Sequence, residues 1–151
     1  MRTFLDKMHD LKLKEVAKRQ SIITEKNLRK KIEELSQFPV FKKHLYRGNG
    51  ENISLVLELK SKTPARKNVE RFDPEKIVKD YVVGGAKAIS VITDEHFFGG
   101  SLKTLEDVRK FTTLPLLHKE FIINSYQLLE GRARGSSAAL ILAYSFKEQE
   151  L

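Results

Sequence analysis

The first 35 residues carry apolar side chains at helical spacing, with charged side chains between them. Two apolar stripes recur at close to the 3.6-residue period: Leu5, Met8, Leu11 and Val16, then Leu28, Ile32 and Leu35. This period predicts two amphipathic helices. Thr24, placed three residues before Asn27, is a weak start signal for the second helix. Pro39 and the glycine-rich run at residues 47–50 then interrupt the pattern.

After residue 52 the pattern changes to short, mostly apolar runs. They predict four strands, at residues 53–60, 88–93, 114–121 and 138–143. The first run is apolar enough for a strand that is buried on both faces. The segments between the strands predict helices at residues 74–83, around 102–111 and at 125–134, with N-caps at Asp73, Ser101 and Ser125. Glycines at 84 and 135 stand where helices often end.

Strands that alternate with helices form a parallel sheet with right-handed crossovers. The interval between strands is about 25 to 35 residues, close to the unit of a (β/α)₈ barrel. We therefore expect an α/β fold, a TIM barrel truncated to about four strands over residues 51–151, after a helical extension over residues 1–50. Half a barrel leaves sheet edges open, so self-association or pairing with a missing C-terminal half is expected.

The positive charge is concentrated in the extension. The net charge is +8, and residues 1–50 hold 13 Lys/Arg against 6 Asp/Glu. Such an arm could bind nucleic acid or another acidic partner. Because the cations stand at helical spacing with few aromatics among them, we expect solvated helix faces and no nucleic acid. With no cysteine, no membrane-length apolar run and no signal peptide, the sequence is typical of a cytoplasmic protein.

Charged side chains end two of the predicted strands. Glu58 and Lys60 are two residues apart on the first, and therefore lie on one side of it. Lys119 has the same relation to Phe121 on the third. In parallel β/α folds, sites form at the carboxyl ends of strands. These charges therefore predict a small-molecule site with a lysine as general acid and Glu58 as its partner or as a base.

A turn with two aromatics, Phe97 and Phe98, followed by Gly99 and Gly100, comes after the second strand. It suits an apolar contact with a ring, although a loop phenylalanine tucked into the core explains it equally well. The glycines lack the spacing of either common phosphate-binding loop. The four histidines show no metal spacing, and His118 should face away from Lys119, so neither metal nor cofactor is expected.

Taken together, these segments resemble indole-3-glycerol phosphate synthases, which are (β/α)₈ enzymes of tryptophan biosynthesis. The resemblance rests on several motifs in order: residues 57–64 (LELKSKTP), 72–74 (FDP), 84–86 (GGA), 89–95 (ISVITDE), 97–101 (FFGGS) and 114–122 (LPLLHKEFI). It extends over essentially all 151 residues. The helical pair at the N-terminus resembles the extension that helps to cover the site in this family.

The resemblance implies a decarboxylating ring closure of 1-(o-carboxyphenylamino)-1-deoxyribulose 5-phosphate, a phosphorylated small molecule. It gives indole-3-glycerol phosphate, CO₂ and water. Lys119 would protonate the substrate carbonyl oxygen. Lys60 would bind the carboxylate and serve as an acid in dehydration, with Glu58 beside it. The residues that it implies for substrate binding are Phe98, Phe121, Pro64, Leu140 and Ser90.

The sequence departs from the family pattern in three respects. Ala65 stands where a serine hydroxyl is usual, and Glu120 stands where aspartate is common. The family's later site residues, a second carboxylate, an asparagine and a phosphate cradle, belong to barrel strands that this sequence does not contain. We therefore expect this chain alone to be inactive. The alternative is a non-enzymatic half-barrel that self-associates or binds an acidic partner through its basic extension; another phosphate-binding barrel enzyme fits the motifs less well.

Overall fold

A computed structural model describes residues 3–35, 37–47, 50, 53–62 and 73–143. Within them, the N-terminal helices are α1 (Phe4–Ile22), α2 (Glu25–Glu33) and α3 (Phe41–Leu45). The remaining elements follow in the order β1 (Leu55–Leu59), α4 (Pro74–Val83), β2 (Ala86–Ile92), α5 (Leu102–Lys110), β3 (Leu116–Lys119), α6 (Ser125–Arg132) and β4 (Ala138–Ala139).

The four described strands form one parallel sheet in the order β1-β2-β3-β4. This confirms the predicted alternation of strands and helices and the truncated barrel-type α/β fold. In the register, Glu58 lies opposite Ser90, and Ile92 lies opposite Lys119. Because the strands are parallel, their carboxyl ends meet at one edge, where the candidate residues were expected.

The core lies between one face of the sheet and the helices α4 and α5. It consists of Leu59, Val78, Ile89, Val91, Leu105, Val108 and Leu116. The prediction that the first strand is buried on both faces is wrong, because Leu55 and Val56 are 41% and 39% exposed. In the described sheet β1 has a neighbour on one side alone, so its other side stays open. Ile53 and Ile141 are also exposed, as expected for open sheet edges.

Local sequence signals place most of the helix starts. Asp73 accepts from the backbone N–H of Glu75, and Ser101 from that of Thr104, as predicted. The predicted cap of α6 is wrong: Asn124 caps it, and Ser125 is its first helical residue. Asn124 is the better cap because it forms a reciprocal capping box with Gln127, three residues later. Ser125 could not form one, since the residue three positions after it is a leucine.

Three elements end two or more residues before the predicted limits, and the first two strands each end one residue before theirs. Helix α6 ends at Arg132, two residues early, before Gly135 adopts a φ of +98°. The third strand spans four residues, Leu116–Lys119, and the fourth spans two, Ala138–Ala139. The apolar runs are longer than the strands because a strand continues only as far as its backbone is hydrogen-bonded to a neighbouring strand. Apolar side chains can be buried beyond that point.

Helices α1 and α2 pack on α6 through an apolar cluster of Val16, Leu28, Tyr126 and Ala133. Thr24 caps α2, as predicted. The predicted stripe of α1 is wrong in part: its buried residues are Met8, Lys12 and Val16, at a strict four-residue spacing. None of the described helices is long and apolar enough to cross a membrane. The division of the chain into domains at residue 50 stays a prediction.

Candidate active site

A cavity of about 220 Å³ opens at the carboxyl ends of the strands. Its lining combines charged and apolar side chains: Glu58, Lys60, Ile92, Asp94, Phe98, Lys119, Glu120, Phe121, Leu140 and Leu142. Small-molecule sites commonly enclose about 300–1,000 Å³. The cavity is therefore the right size for one part of a substrate, such as a single aromatic ring with its substituents.

Three charged residues of the cavity form one ion-paired group. Glu58 accepts a hydrogen bond from the Lys119 ammonium through Oε2, and its Oε1 lies 3.4 Å from Lys60 Nζ. The structure thus brings together the charges that the sequence placed on two different strands. The Lys60 side chain is 49% exposed, against 39% for Lys119, so Lys60 is the more accessible cation.

The pKa of Glu58 reflects this geometry. Partial burial raises the pKa, but hydrogen bonds and charge from Lys119, and then from Lys60, outweigh burial and hold it below its ordinary value. Glu58 is therefore a carboxylate at neutral pH. It can hold two ammonium groups in place, and it is a weak base. Its main-chain carbonyl also accepts a hydrogen bond of 2.7 Å from Tyr81, which joins the strand end to α4.

Two phenylalanines form an aromatic wall beside these charges. The rings of Phe98 and Phe121 lie 6.2 Å apart between centroids and are tilted by 40°. Phe97 does not line the cavity; its ring lies 6.2 Å from that of Phe121 and 4.9 Å from that of Phe4 on α1. The sequence left open whether the turn lines a site or fills the core. Phe98 lines the cavity, and both phenylalanines of the turn are partly buried.

The other predicted binding residues have different placements. Leu140, just after β4, lines the cavity. Ser90 is buried opposite Glu58 in the β1–β2 register, one layer deeper than Ile92, and does not line it. Pro64 lies outside the described residues. The roles of all of these residues in substrate binding stay predictions.

Sequence reasoning missed a buried charge network beside the cavity, two members of which, Asp94 and Glu120, line it. The Lys12 ammonium lies 2.8 Å from Asp94, 2.8 Å from Glu15 and 3.1 Å from Glu120. Burial disfavours its charge, but the carboxylates, above all Glu120, outweigh burial and raise its pKa. The sequence did contain a sign that Lys12 is buried. It stands four residues from both Met8 and Val16, and therefore on the same face of α1 as these apolar residues.

His118 faces away from Lys119, as alternation predicts, and is fully buried beneath α6. Its Nε2 lies 2.9 Å from the hydroxyl of Thr93, which also donates to Glu120. Burial, and then the nearby cations led by Arg134, lower the pKa of His118 to about 4. The histidine is therefore neutral at physiological pH and helps to anchor the strand that ends in Lys119.

Part of the positive charge of the extension is bound to acidic groups of the sheet and its helices. Arg19 pairs with the buried Glu130 at 2.9 Å, and Lys31 pairs with Glu106 at 3.4 Å. Lys12 is likewise paired with Asp94 and Glu120. The expectation of solvated helix faces is therefore wrong for Lys12, whose side chain is 1% exposed, whereas Lys31 is 47% exposed and agrees with it. All three ion pairs join the extension to the rest of the chain.

Comparison with known proteins agrees with this geometry. The family model of indole-3-glycerol phosphate synthase matches residues 5–151. An indole-3-glycerol phosphate synthase of Alkaliphilus metalliredigens is 34% identical over 148 residues, which are 97% of this chain and 56% of that protein. One from Streptomyces griseus is 35% identical over 148 residues, 97% of this chain and 54% of that protein.

A third relative, from Rhodopirellula baltica, is 44% identical over 102 residues, 67% of this chain and 39% of that protein. The chain thus spans about half the length of the curated relatives that it matches. With the family match over residues 5–151, the parallel β/α sheet and the polar cavity at its strand ends, this chain belongs to the indole-3-glycerol phosphate synthase family.

Proposed function

We propose that this chain supplies the first half of an indole-3-glycerol phosphate synthase site. The reaction is the decarboxylating ring closure of 1-(o-carboxyphenylamino)-1-deoxyribulose 5-phosphate. One observation carries the proposal: the Lys119–Glu58–Lys60 group stands at the strand ends beside a wall of Phe98 and Phe121. Cations beside an apolar wall suit a substrate that joins an aromatic ring to carboxylate and phosphate groups.

In the proposed chemistry, Lys119 donates a proton to the substrate carbonyl oxygen. The ring carbon that bears the carboxylate bonds to that carbonyl carbon, and the oxygen becomes a hydroxyl group. The carboxylate then leaves as CO₂, and its bonding electrons restore the aromatic ring. The hydroxyl group departs as water with a proton from an acid, and loss of a ring proton completes the indole. No electrons are gained or lost overall, so no redox cofactor is required.

The arrangement of the cations supports a division of labour between the two lysines. Lys60 is the more exposed and has the longer contact with Glu58, so a substrate carboxylate can take its place beside that ammonium. Lys119 is hydrogen-bonded to Glu58, which orients the ammonium group at the cavity. Glu58 is ionised at neutral pH, as this role requires. Such prepositioned charges are a large part of catalysis.

The alternative of a non-enzymatic half-barrel has one observation in its favour. Apolar side chains of the sheet edge are exposed, including Ile53 and Ile141. However, the pairing of extension cations with buried acidic groups leaves fewer of them for an acidic partner. We favour the enzyme, with the edges meeting the second half of a barrel. That pairing, and a cytoplasmic location, stay predictions.

The test is an indole-fluorescence assay of this chain alone and of this chain fused to the remaining C-terminal part of the Alkaliphilus metalliredigens relative. The fusion avoids any dependence on association. We expect product from the fusion and none from the chain alone, because the chain covers only 56% of that relative and the remaining part would supply further binding energy that positions the substrate. A fusion that folds without forming indole-3-glycerol phosphate would refute the proposal.

Variants of the fusion test the general acid. Lys119→Met should lower kcat by about 10²- to 10⁴-fold, the usual contribution of a general acid. Lys79→Met is the matched control, since Lys79 is exposed on α4, where it pairs with Glu75, and it does not line the cavity. It should leave kcat unchanged. Equal kcat values for Lys119→Met and the unaltered fusion would remove Lys119 from the mechanism.

A further inference from the structure

Lys12 is a buried charge that the proposed chemistry does not use. It lies on α1, and its side chain is 1% exposed. Its ammonium contacts carboxylates from three different elements or turns: Glu15 on α1, Asp94 after β2 and Glu120 after β3. An isolated buried ammonium is costly, so such a site persists only where several partners surround it.

The two carboxylates beyond α1 hold the backbone of the aromatic wall. Oδ1 of Asp94 accepts hydrogen bonds from the N–H groups of Phe97, at 2.6 Å, and of Phe98, at 2.9 Å. Oε1 of Glu120 accepts from the N–H group of Phe121, at 2.8 Å. Each carboxylate thus joins the Lys12 ammonium to a turn that presents a ring to the cavity.

We propose that Lys12 is a positioning residue that sets the gap between Phe98 and Phe121. One ammonium draws Asp94 and Glu120 together, and each carboxylate carries its turn with it. The N-terminal extension therefore acts on the ring wall through hydrogen bonds rather than by covering the site alone. The catalytic consequence rests on the function proposed above, whereas the placement of the two turns does not.

Helix α1 makes a second contact with the same group of rings. Phe4 stands two helical turns before Lys12 on the same face of α1, because residues four apart lie above one another. Its ring lies 4.9 Å from that of Phe97 and 6.5 Å from that of Phe121. Both ends of this face thus contact the turns that follow β2 and β3, which agrees with a helix that aligns them.

Loss of the ammonium should have a local effect that simple loss of stability would not produce. Without Lys12, Asp94 and Glu120 are two like charges in a buried site, and each would move away from the other or toward water. Glu15 is 25% exposed and also lies 3.7 Å from Arg19, so it can turn outward. The turns that carry Phe98 and Phe121 should therefore separate.

The first experiment measures amide hydrogen exchange by NMR in Lys12→Met, which keeps an unbranched side chain but removes the ammonium group. The amides of Phe97, Phe98 and Phe121 should exchange at least about tenfold faster, relative to the β2 core amides of the same variant. The control is Lys31→Met. It removes another ion pair of the extension, the one between Lys31 on α2 and Glu106 on α5, and neither residue belongs to the turns that carry these phenylalanines. Exchange of the three amides in step with the β2 core would overturn the proposal.

A second variant keeps the test decisive if Lys12→Met does not fold. The triple variant Lys12→Met, Asp94→Asn, Glu120→Gln leaves no buried charge uncompensated and retains the oxygens that accept from the backbone. We expect it to fold, but with a weaker nuclear Overhauser effect between the Phe98 and Phe121 rings. An unchanged effect and unchanged amide shifts would mean that Lys12 only balances charge, and would overturn the proposal.

Binding of N-methylanthranilate, a fluorescent probe with the o-carboxyaniline group, separates this inference from the proposed function. We expect binding about tenfold weaker in the triple variant than in the unaltered chain, and equal binding in Lys31→Met. Equal binding in the triple variant would count against Lys12 as a positioning residue. If the unaltered chain bound no probe, the proposed function would lose support, while the exchange and ring measurements would still decide the role of Lys12.

Discussion

Substitution of Gly131 by alanine tests how closely α6 packs against the strand that carries Lys119. A β-carbon at position 131 would lie 2.3 Å from Nδ1 and 2.9 Å from Cγ of the His118 ring. The ring is 1% exposed, and its Nε2 lies 2.9 Å from the Thr93 hydroxyl. The added methyl group must therefore displace either the ring, at the cost of this hydrogen bond, or the helix.

Two opposing effects set the size of the change. Alanine favours a helix over glycine by about 0.8–1.0 kcal/mol. Forcing a methyl group into a packed site costs about 1–3 kcal/mol, and loss of the Thr93–His118 hydrogen bond costs about 0.5–1.5 kcal/mol more. The clash is the larger effect. We expect Gly131→Ala to lower the free energy of unfolding by about 1–3 kcal/mol.

The assay is urea unfolding followed by circular dichroism, with the same substitution repeated in a His118→Ala background. Removal of the ring removes the clash, so that only the helix preference of alanine remains. In this background Gly131→Ala should raise the free energy of unfolding by up to about 1 kcal/mol. The reversal of sign is the diagnostic result. If the substitution destabilised both backgrounds equally, contact with His118 would not be the cause.

Two further predictions concern buried polar groups. Burial lowers the pKa of His118 from 6.5 to about 4, so between these values the unfolded chain binds a proton that the folded chain excludes. Unfolding free energy should therefore fall, by up to about 3 kcal/mol, as pH drops from 6.5 to 4, and His118→Gln should flatten this slope in urea titrations; an equally steep slope would contradict the assignment. The buried Tyr126 hydroxyl shares its proton between the carbonyls of Ile23, at 2.8 Å, and Arg19, at 3.1 Å. Tyr126→Phe should cost about 1–2 kcal/mol in the same assay, whereas Tyr46→Phe, at a side chain that is 79% exposed, should cost under about 0.5 kcal/mol; similar losses in both would refute the role of the hydroxyl.

Local signals in the sequence predicted the elements well. The period of apolar positions identified the strands and the helices other than α3, which was not predicted. Asp73 and Ser101 marked helix starts because a cap involves only the next few residues. Alternation along strands also placed Glu58 and Lys119 on one side of the sheet and His118 on the other. The choice of Asn124 over Ser125 was missed, although the capping box that decides it is itself a local pattern.

What the sequence by itself determined is therefore the order of elements, the family and the residues that reach the strand ends. Only the tertiary structure decided which of these residues meet. Lys12 is buried because Asp94 and Glu120 converge on it from distant parts of the chain, and no local pattern encodes that convergence. The exposure of Leu55 and Val56 likewise depends on whether another strand lies beside β1. Periodicity and capping act over a few residues, whereas burial and ion pairing depend on distant neighbours in space.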